Sequence, residues 1–207
     1  MKRESIEQTK EHILEVARKE FFNKGYGAAS INTIVDAADV TKPTVYYHFK
    51  NKEGLFNALV EECYERGYQN RRNVIDEDLP INEQIARVIA ADFDFCVKQP
   101  ELVRFLLAQT FSLPGESEND LTEIHYRDYE FFRELIERGN VRGELICADT
   151  MSAALALQGI IDINIASFLK MEHESDFLSA ERAREITEMF LHGINIEINK
   201  EVKNDSK

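Results

Sequence analysis

Residues 41–49 read Thr41, Lys42, Pro43, Thr44, Val45, Tyr46, Tyr47, His48 and Phe49, a run that spends an ammonium, two hydroxyls, two phenols and an imidazole within nine positions. These are the groups of a surface pressed against a nucleic acid. A lysine at the start of a helix offers donors to guanine O6 and N7, and a proline offers an apolar face to a thymine methyl. Phenols and imidazoles bind phosphate oxygens, which fix register without carrying sequence information. Lys42, Pro43 and Thr44 are therefore candidates for base edges, and Tyr46, Tyr47 and His48 for phosphates. Asn32 can read a base or a phosphate from the preceding element, and the Ser30 hydroxyl and Lys52 ammonium extend the phosphate set. Two bland readings stand beside these: Tyr47 as a core aromatic, and His48 as a cap on the last carbonyls of its helix.

The chain chemistry places this run on a very short helix. Thr41 is a capping residue, Val40 and Val45 occupy the positions of a hydrophobic staple, and Pro43 falls in the first turn, where its missing N–H has no intrahelical partner. The helix starts at Lys42, and Asn51 is the next capping candidate, which leaves about two turns. Two turns are not stable alone. Support comes from upstream, where Ser5 to Gln8 fits a capping box and Ile13, Leu14, Ala17, Phe21 and Phe22 recur at helical spacing. Helix one is expected over 5–24, with Gly25, Tyr26 and Gly27 as a turn. Ser30 caps a second helix with Ile31, Ile34, Val35 and Ala38 on one stripe, and Ala38, Asp39 and Val40 turn into the third. The second and third helices form a helix-turn-helix, with the first closing the core behind them.

The run from Gly25 through Tyr46, Tyr47, His48 and Phe49 to Lys52, Gly54 and Leu55 resembles the N-terminal DNA-binding domain of TetR-type transcriptional regulators, strongly so over residues 8–60. The resemblance implies DNA contact for Tyr46, His48 and Lys52. It further implies a repressor that dimerises through its last two long helices and carries a small molecule in a helical C-terminal domain. Occupancy of that domain would rotate the fourth helix until the two reading heads no longer match a palindromic, double-stranded DNA operator.

The formal charge of −13 is at first sight wrong for a DNA-binding protein. It is unevenly spread. Residues 1–56 hold nine Lys and Arg against eight Asp and Glu, while the remainder holds 16 against 30. Beyond a Debye length of about 8 Å the acidic body is screened from the phosphates that the head faces. A length of 207 residues with 43% hydrophobic content supports one small domain and one larger one. The charged N-terminus and the absence of a membrane span or signal peptide in the sequence lead to an expected cytoplasmic location with no membrane partner. Cys63, Cys96 and Cys147, odd in number and set among apolar neighbours, are expected to be buried thiols.

The fold class is expected to be all-α, about nine helices, with residues 1–50 as the DNA-binding domain and 51–207 as an effector-binding and dimerisation domain. Helix four, from Lys52 towards Arg72, presents Leu55, Phe56, Leu59, Val60 and Cys63. Helix five carries Ile85, Val88, Ile89, Asp92 and Cys96 and ends at Pro100. Further helices are expected over 101–111, 119–139 and 148–171, with a loop from Pro114 to Asp120 and a last helix capped by Ser179. An effector pocket among helices five to eight would draw on Phe93, Phe105, Phe111, Phe131, Phe132 and Phe168, with His125, Asp92 or Asp162 orienting a polar or cationic group; for each of these residues the alternative is an ordinary core or solvated role. In helix eight, Gln158, Asp162 and Asn164 interrupt an otherwise apolar segment, and Ser152, Ala156 and Gly159 form a seam of small residues. Ala183, Ile186, Phe190, Gly193, Ile194 and Glu197 form a stripe on helix nine. Packing both against a second copy makes a four-helix homodimer interface; the alternative is that they face their own core. His125 and Asp128, three apart, are too few for a metal site, so neither metal nor cofactor is expected. His125 with an aspartate as a general base is the enzyme alternative, but no nucleophile motif or phosphate loop accompanies it. Control by a protein partner rather than a small molecule is a further alternative.

Overall fold

The computed structural model describes residues 2–111, 122–171 and 175–194, with side chains from Ile6 onward apart from those at 122–125, 175 and 194. Among the described residues all regular structure is helical: α1 (Lys2–Ala28), α2 (Ile31–Ala37), α3 (Lys42–Phe49), α4 (Lys52–Arg72), α5 (Ile81–Lys98), α6 (Pro100–Thr110), α7 (Thr122–Val141), α8 (Thr150–Met171) and α9 (Ala180–Ile194), with a 3-10 turn at Ser175–Leu178. The chain is all-α, as expected. The loop anticipated from Pro114 to Asp120 lies outside the described residues.

The turn expected at Gly25 is present as a kink. Gly25 takes φ 70° and ψ 173°, and helical geometry resumes after it as far as Ala28. Positive φ suits a glycine and strains other residues. α2 departs from expectation at its cap: Ser30 stands at the N-cap, but its side chain makes no capping bond. Its own backbone N–H donates to Glu20 Oε1 at 3.0 Å, and the same carboxylate accepts from Lys24 Nζ at 2.9 Å. The Lys24 bond, with the Ser30 N–H, holds the Glu20 carboxyl below the usual range despite partial burial.

Two packing units are present. One contains the chain up to Asn70 together with α6; the other contains Arg71–Val97 and the chain from Tyr126. In the first, Ile13, Ala17, Phe21, Ile34, Val45, Phe49, Leu55 and Leu59 are buried around an aromatic cluster. Phe21 meets Phe56 edge-on at 5.1 Å, and Phe56 meets Tyr26 at 4.9 Å. Arg18 on α1 donates to Glu62 on α4, and Tyr64 on α4 bonds to Thr110 on α6. In the second unit Ile81, Ile85, Ile89, Phe93, Phe132, Ile136, Ala154, Leu157, Ile161, Ala183 and Ile186 are buried. Ile81 N–H donates to Glu144 Oε2, and Arg142 donates to the carbonyls of Leu79 and Glu77, tying the α7–α8 turn to the start of α5.

Candidate nucleic-acid interface and the buried ionic cluster

Helix α3 is built as its sequence demands. Thr41 takes extended geometry, its Oγ1 accepts from the Thr44 N–H at 3.4 Å, and its hydroxyl meets that of Thr44 at 2.8 Å. Val45 and Phe49 point into the core, so the opposite face of α3 is free. Lys50, at φ 67°, ends the helix, and Asn51 Oδ1 accepts from Gly54 N–H at 2.7 Å to start α4. This reversal leaves no room beside Gly54, where a Cβ would stand 2.0 Å from the Phe49 carbonyl oxygen. Gly54→Ala is expected to destabilise the protein by on the order of 1–2 kcal/mol, because backbone rather than a movable side chain must yield. Urea unfolding is the check.

Lys42, Pro43, Tyr46 and Tyr47 are exposed, and Thr44 and His48 half-buried. Tyr47 is 74% exposed, so it is not the core aromatic of the bland reading. The Tyr47 and His48 rings meet edge-on at 5.2 Å, and Lys42 Nζ sits 5.8 Å from the Tyr46 ring centroid. Asn32 is exposed on α2, and Ser30 is half-buried with its hydroxyl unused for capping. Lys52 Nζ donates to the Gly27 carbonyl at 3.3 Å and lies 4.7 Å over the Tyr26 ring, which ties the start of α4 to the turn before α2. An ammonium has three donors, so this bond leaves donors for a phosphate.

The expected effector residues do not form one group. Phe105 belongs to the first unit, where its ring packs on Phe22 at 4.7 Å and Phe56 at 5.6 Å. Phe111 is 64% exposed. The His125 side chain lies outside the described residues. Phe93, Phe131 and Phe132 are buried and Phe168 half-buried in the second unit.

Asp92 and Asp162 sit in a polar cluster that contains a residue missed from the sequence, Arg71. Arg71 Nε reaches both Asp92 oxygens at 2.9 Å, its Nη1 reaches Asp128 Oδ1 at 3.2 Å, and its guanidinium lies 5.0 Å over the Phe132 ring. Burial works against the Arg71 charge, but Asp92 and Asp128 outweigh it and hold the guanidinium protonated above its usual range. Burial also raises the Asp92 carboxyl against the pull of Arg71; the two short contacts nevertheless fit only the ion pair. On α8, Asp162 accepts from Gln158 Nε2 at 2.7 Å, and burial raises its carboxyl to about 6. The Tyr129 phenol is also raised, by burial and then by Asp162 and Asp128.

One interface expectation needs correction. Ala183, Ile186 and Phe190 are buried within their own protomer and are not free to cover a second copy. Helical spacing shows that a face is apolar but not whose core it joins. Gly193 is exposed, while Ile194's side chain and Glu197 lie outside the described residues. The α8 seam, by contrast, is open: Ser152, Ala156 and Gly159 are exposed beside Leu155 and Ile163. Cys63 and Cys96 are buried, with burial pushing the Cys63 thiol up to about 12; Cys147 is only half-buried, its thiol donating to the Asp149 carbonyl.

The family model for bacterial regulatory proteins of the tetR family matches residues 13–59, which covers α2, α3 and the α4 start together with most of α1. HTH-type transcriptional regulator YhgD of Bacillus subtilis is 34% identical over 86 residues, 42% of this chain and 45% of its own. Residues 13–59 thus carry the N-terminal domain of the tetR family of bacterial regulatory proteins. HTH-type transcriptional regulator AcrR of Shigella flexneri is 37% identical over 59 residues, 28% of this chain and 27% of its own. The chain thus spans less than half the length of either relative. The fold likeness extends further: the transcriptional regulator FadR of Bacillus subtilis, solved with stearoyl-CoA, superposes with a TM-score of 0.77 at 21% identity, over 88% of this chain and 98% of its own.

Substitutions at Lys42 and Lys52 test the two contact roles expected from the sequence. Lys42→Ala is expected to relax sequence preference. Lys52→Ala is expected to weaken every sequence alike and to lower the slope of log affinity against log salt by about 1. Binding titrations on matched and scrambled duplexes at several salt concentrations read both; equal loss on every sequence for Lys42→Ala contradicts its role at a base edge.

Proposed function

We propose that the protein is a cytoplasmic, ligand-responsive transcriptional repressor that binds a palindromic operator as a homodimer and is released by a small molecule. The observation that carries this reading is the open face of α3, where Lys42, Pro43, Tyr46 and Tyr47 are solvent-facing on a helix whose other face is locked into the core by Val45 and Phe49. Lys42, Pro43 and Thr44 read base edges, with Asn32 beside them. Ser30, Tyr46, Tyr47, His48 and Lys52 hold phosphates. Two such heads enter major grooves about 34–36 Å apart, which requires a dimer.

The exposed α8 seam supports pairing through the last two helices. Gly159, Ala156 and Ser152 permit close approach, and Leu155 and Ile163, with Met189 on α9, supply apolar area that is 45–63% exposed in the single chain. Ile163→Asp is expected to weaken the dimer about tenfold or more by placing a charge in that seam, and to weaken operator binding with it. Sedimentation equilibrium reads the first effect and a mobility shift the second. A monomeric wild-type protein that binds a palindrome would contradict the dimer.

Release by a ligand is a coupling free energy. A compound that binds the DNA-incompetent state 100-fold better lowers operator affinity by up to about 2.7 kcal/mol. A mobility shift repeated across lipophilic and cationic compounds tests it: at least one is expected to dissociate the complex, and persistence of the complex with all of them contradicts effector control.

A further inference from the structure

The cluster around Arg71 is short of positive charge and of hydrogen-bond donors, and both shortages fall at one place on α8. Three carboxylates, Asp92, Asp128 and Asp162, face one guanidinium. Arg71 spends its Nε on Asp92 and its Nη1 on Asp128, and only its long-range attraction reaches Asp162. The hydrogen bond that Asp162 receives comes from the neutral amide of Gln158. Gln158 and Asp162 are one helical turn apart and therefore share a face of α8. They are 7% and 8% exposed. By donating Nε2 to Asp162, Gln158 leaves its Oε1 buried and without any hydrogen-bond partner. A buried acceptor left unmade costs about 1–3 kcal/mol, and an incompletely compensated buried carboxylate costs more. An ammonium or guanidinium group with N–H donors would supply the charge to Asp162 and a hydrogen bond to Gln158 Oε1 together.

We propose that Gln158 and Asp162 form the polar end of the effector site and receive a cationic ligand bearing N–H donors, a primary or secondary ammonium or a guanidinium. This rests on the effector reading above and specifies its chemistry. Arg71 acts as a positioning residue: by neutralising Asp92 and engaging Asp128 it leaves Asp162 as the carboxylate that the ligand meets. Tyr129, half-buried beside Asp162 and Asp128, supplies an aromatic neighbour for the cation. The raised carboxyl of Asp162 agrees, since a group that ionises at a cost gains most from an arriving cation.

The test is calorimetric titration of the full chain at pH 8 and low salt with methylammonium, guanidinium and benzylammonium. Benzyltrimethylammonium, which has charge without N–H, and benzyl alcohol, which has no charge, are the controls. At least one N–H cation is expected to bind saturably and the controls about tenfold more weakly or not at all. Asp162→Asn and Gln158→Leu are each expected to weaken the cation about tenfold or more while remaining folded and competent for operator DNA. Equal binding of either control, no saturable binding of any N–H cation, or undiminished affinity in Asp162→Asn overturns the proposal. Operator release is read separately. Asp162-dependent cation binding that leaves the operator complex intact supports the site and contradicts the effector reading. Release by a lipophilic compound with no cation binding does the reverse.

Discussion

Arg71→Ala is expected to cost about 3–5 kcal/mol of stability, the loss typical of breaking a buried ion pair by removing one partner. The guanidinium is the cation bonded to both Asp92 and Asp128. Without it Asp92, 6% exposed, keeps a carboxylate with no counter-charge at 2.9 Å, and Phe132 loses the guanidinium over its ring. Much of that cost reflects the orphaned carboxylates rather than the worth of the pair, so Arg71→Met combined with Asp92→Leu should recover part of it. Urea unfolding of the single and double variants reads the effect. A loss below about 1 kcal/mol for Arg71→Ala would show that the cluster is solvated and is not a buried network.

Asp162→Asn is expected to stabilise the protein at pH 8 and to make no difference near pH 3. Burial raises the Asp162 carboxyl from an ordinary 3.8 to about 6. The folded protein therefore holds this proton more tightly than the unfolded chain does, and stability falls as pH rises between those two values. The contribution is fully present below about 3.8 and lost above about 6, and the whole span is worth about 3 kcal/mol. An amide is neutral throughout and escapes that loss. Other groups move oppositely: the Glu20, Glu130 and Asp149 carboxyls are held low by hydrogen bonds and lose stability in acid. The difference between wild type and variant across pH isolates Asp162 from them. A flat difference would place Asp162 in contact with water. A stabilising substitution at a binding carboxylate is the usual trade between stability and function.

The head was legible in the sequence because its signals are local. A cap at Thr41, a proline in the first turn and Asn51 as the next cap lie within eleven residues, and each was observed in its expected role. Ser30 shows where local reading stops. A serine at an N-cap position is the favoured residue, yet its hydroxyl makes no capping bond, and its own N–H is held by Glu20, ten residues upstream. Arg71 was missed for a related reason. At the end of α4, beside Arg72, it reads as a cation complementing the helix dipole. Its actual partners are 21 and 57 residues away, beyond any periodicity. Gln158 and Asp162 were visible as polar residues in an apolar helix, but that Gln158 would satisfy one half of its amide and not the other is a matter of packing. The stripe of Ala183, Ile186 and Phe190 was apolar as read, and only the fold shows that its own chain covers it.

The central claim is that α3 reads a palindrome as one of a pair. Selection of bound duplexes from a random pool, run in parallel on the wild-type protein and on Lys42→Ala and Tyr47→Ala, tests it most directly. The expected result is a palindromic site with half-site centres about 10–10.5 base pairs apart or a multiple of that, with preference relaxed in Lys42→Ala and affinity lowered without a change of sequence in Tyr47→Ala. Recovery of no palindrome by the wild-type protein, or of the same site with equal affinity by both variants, would contradict the account.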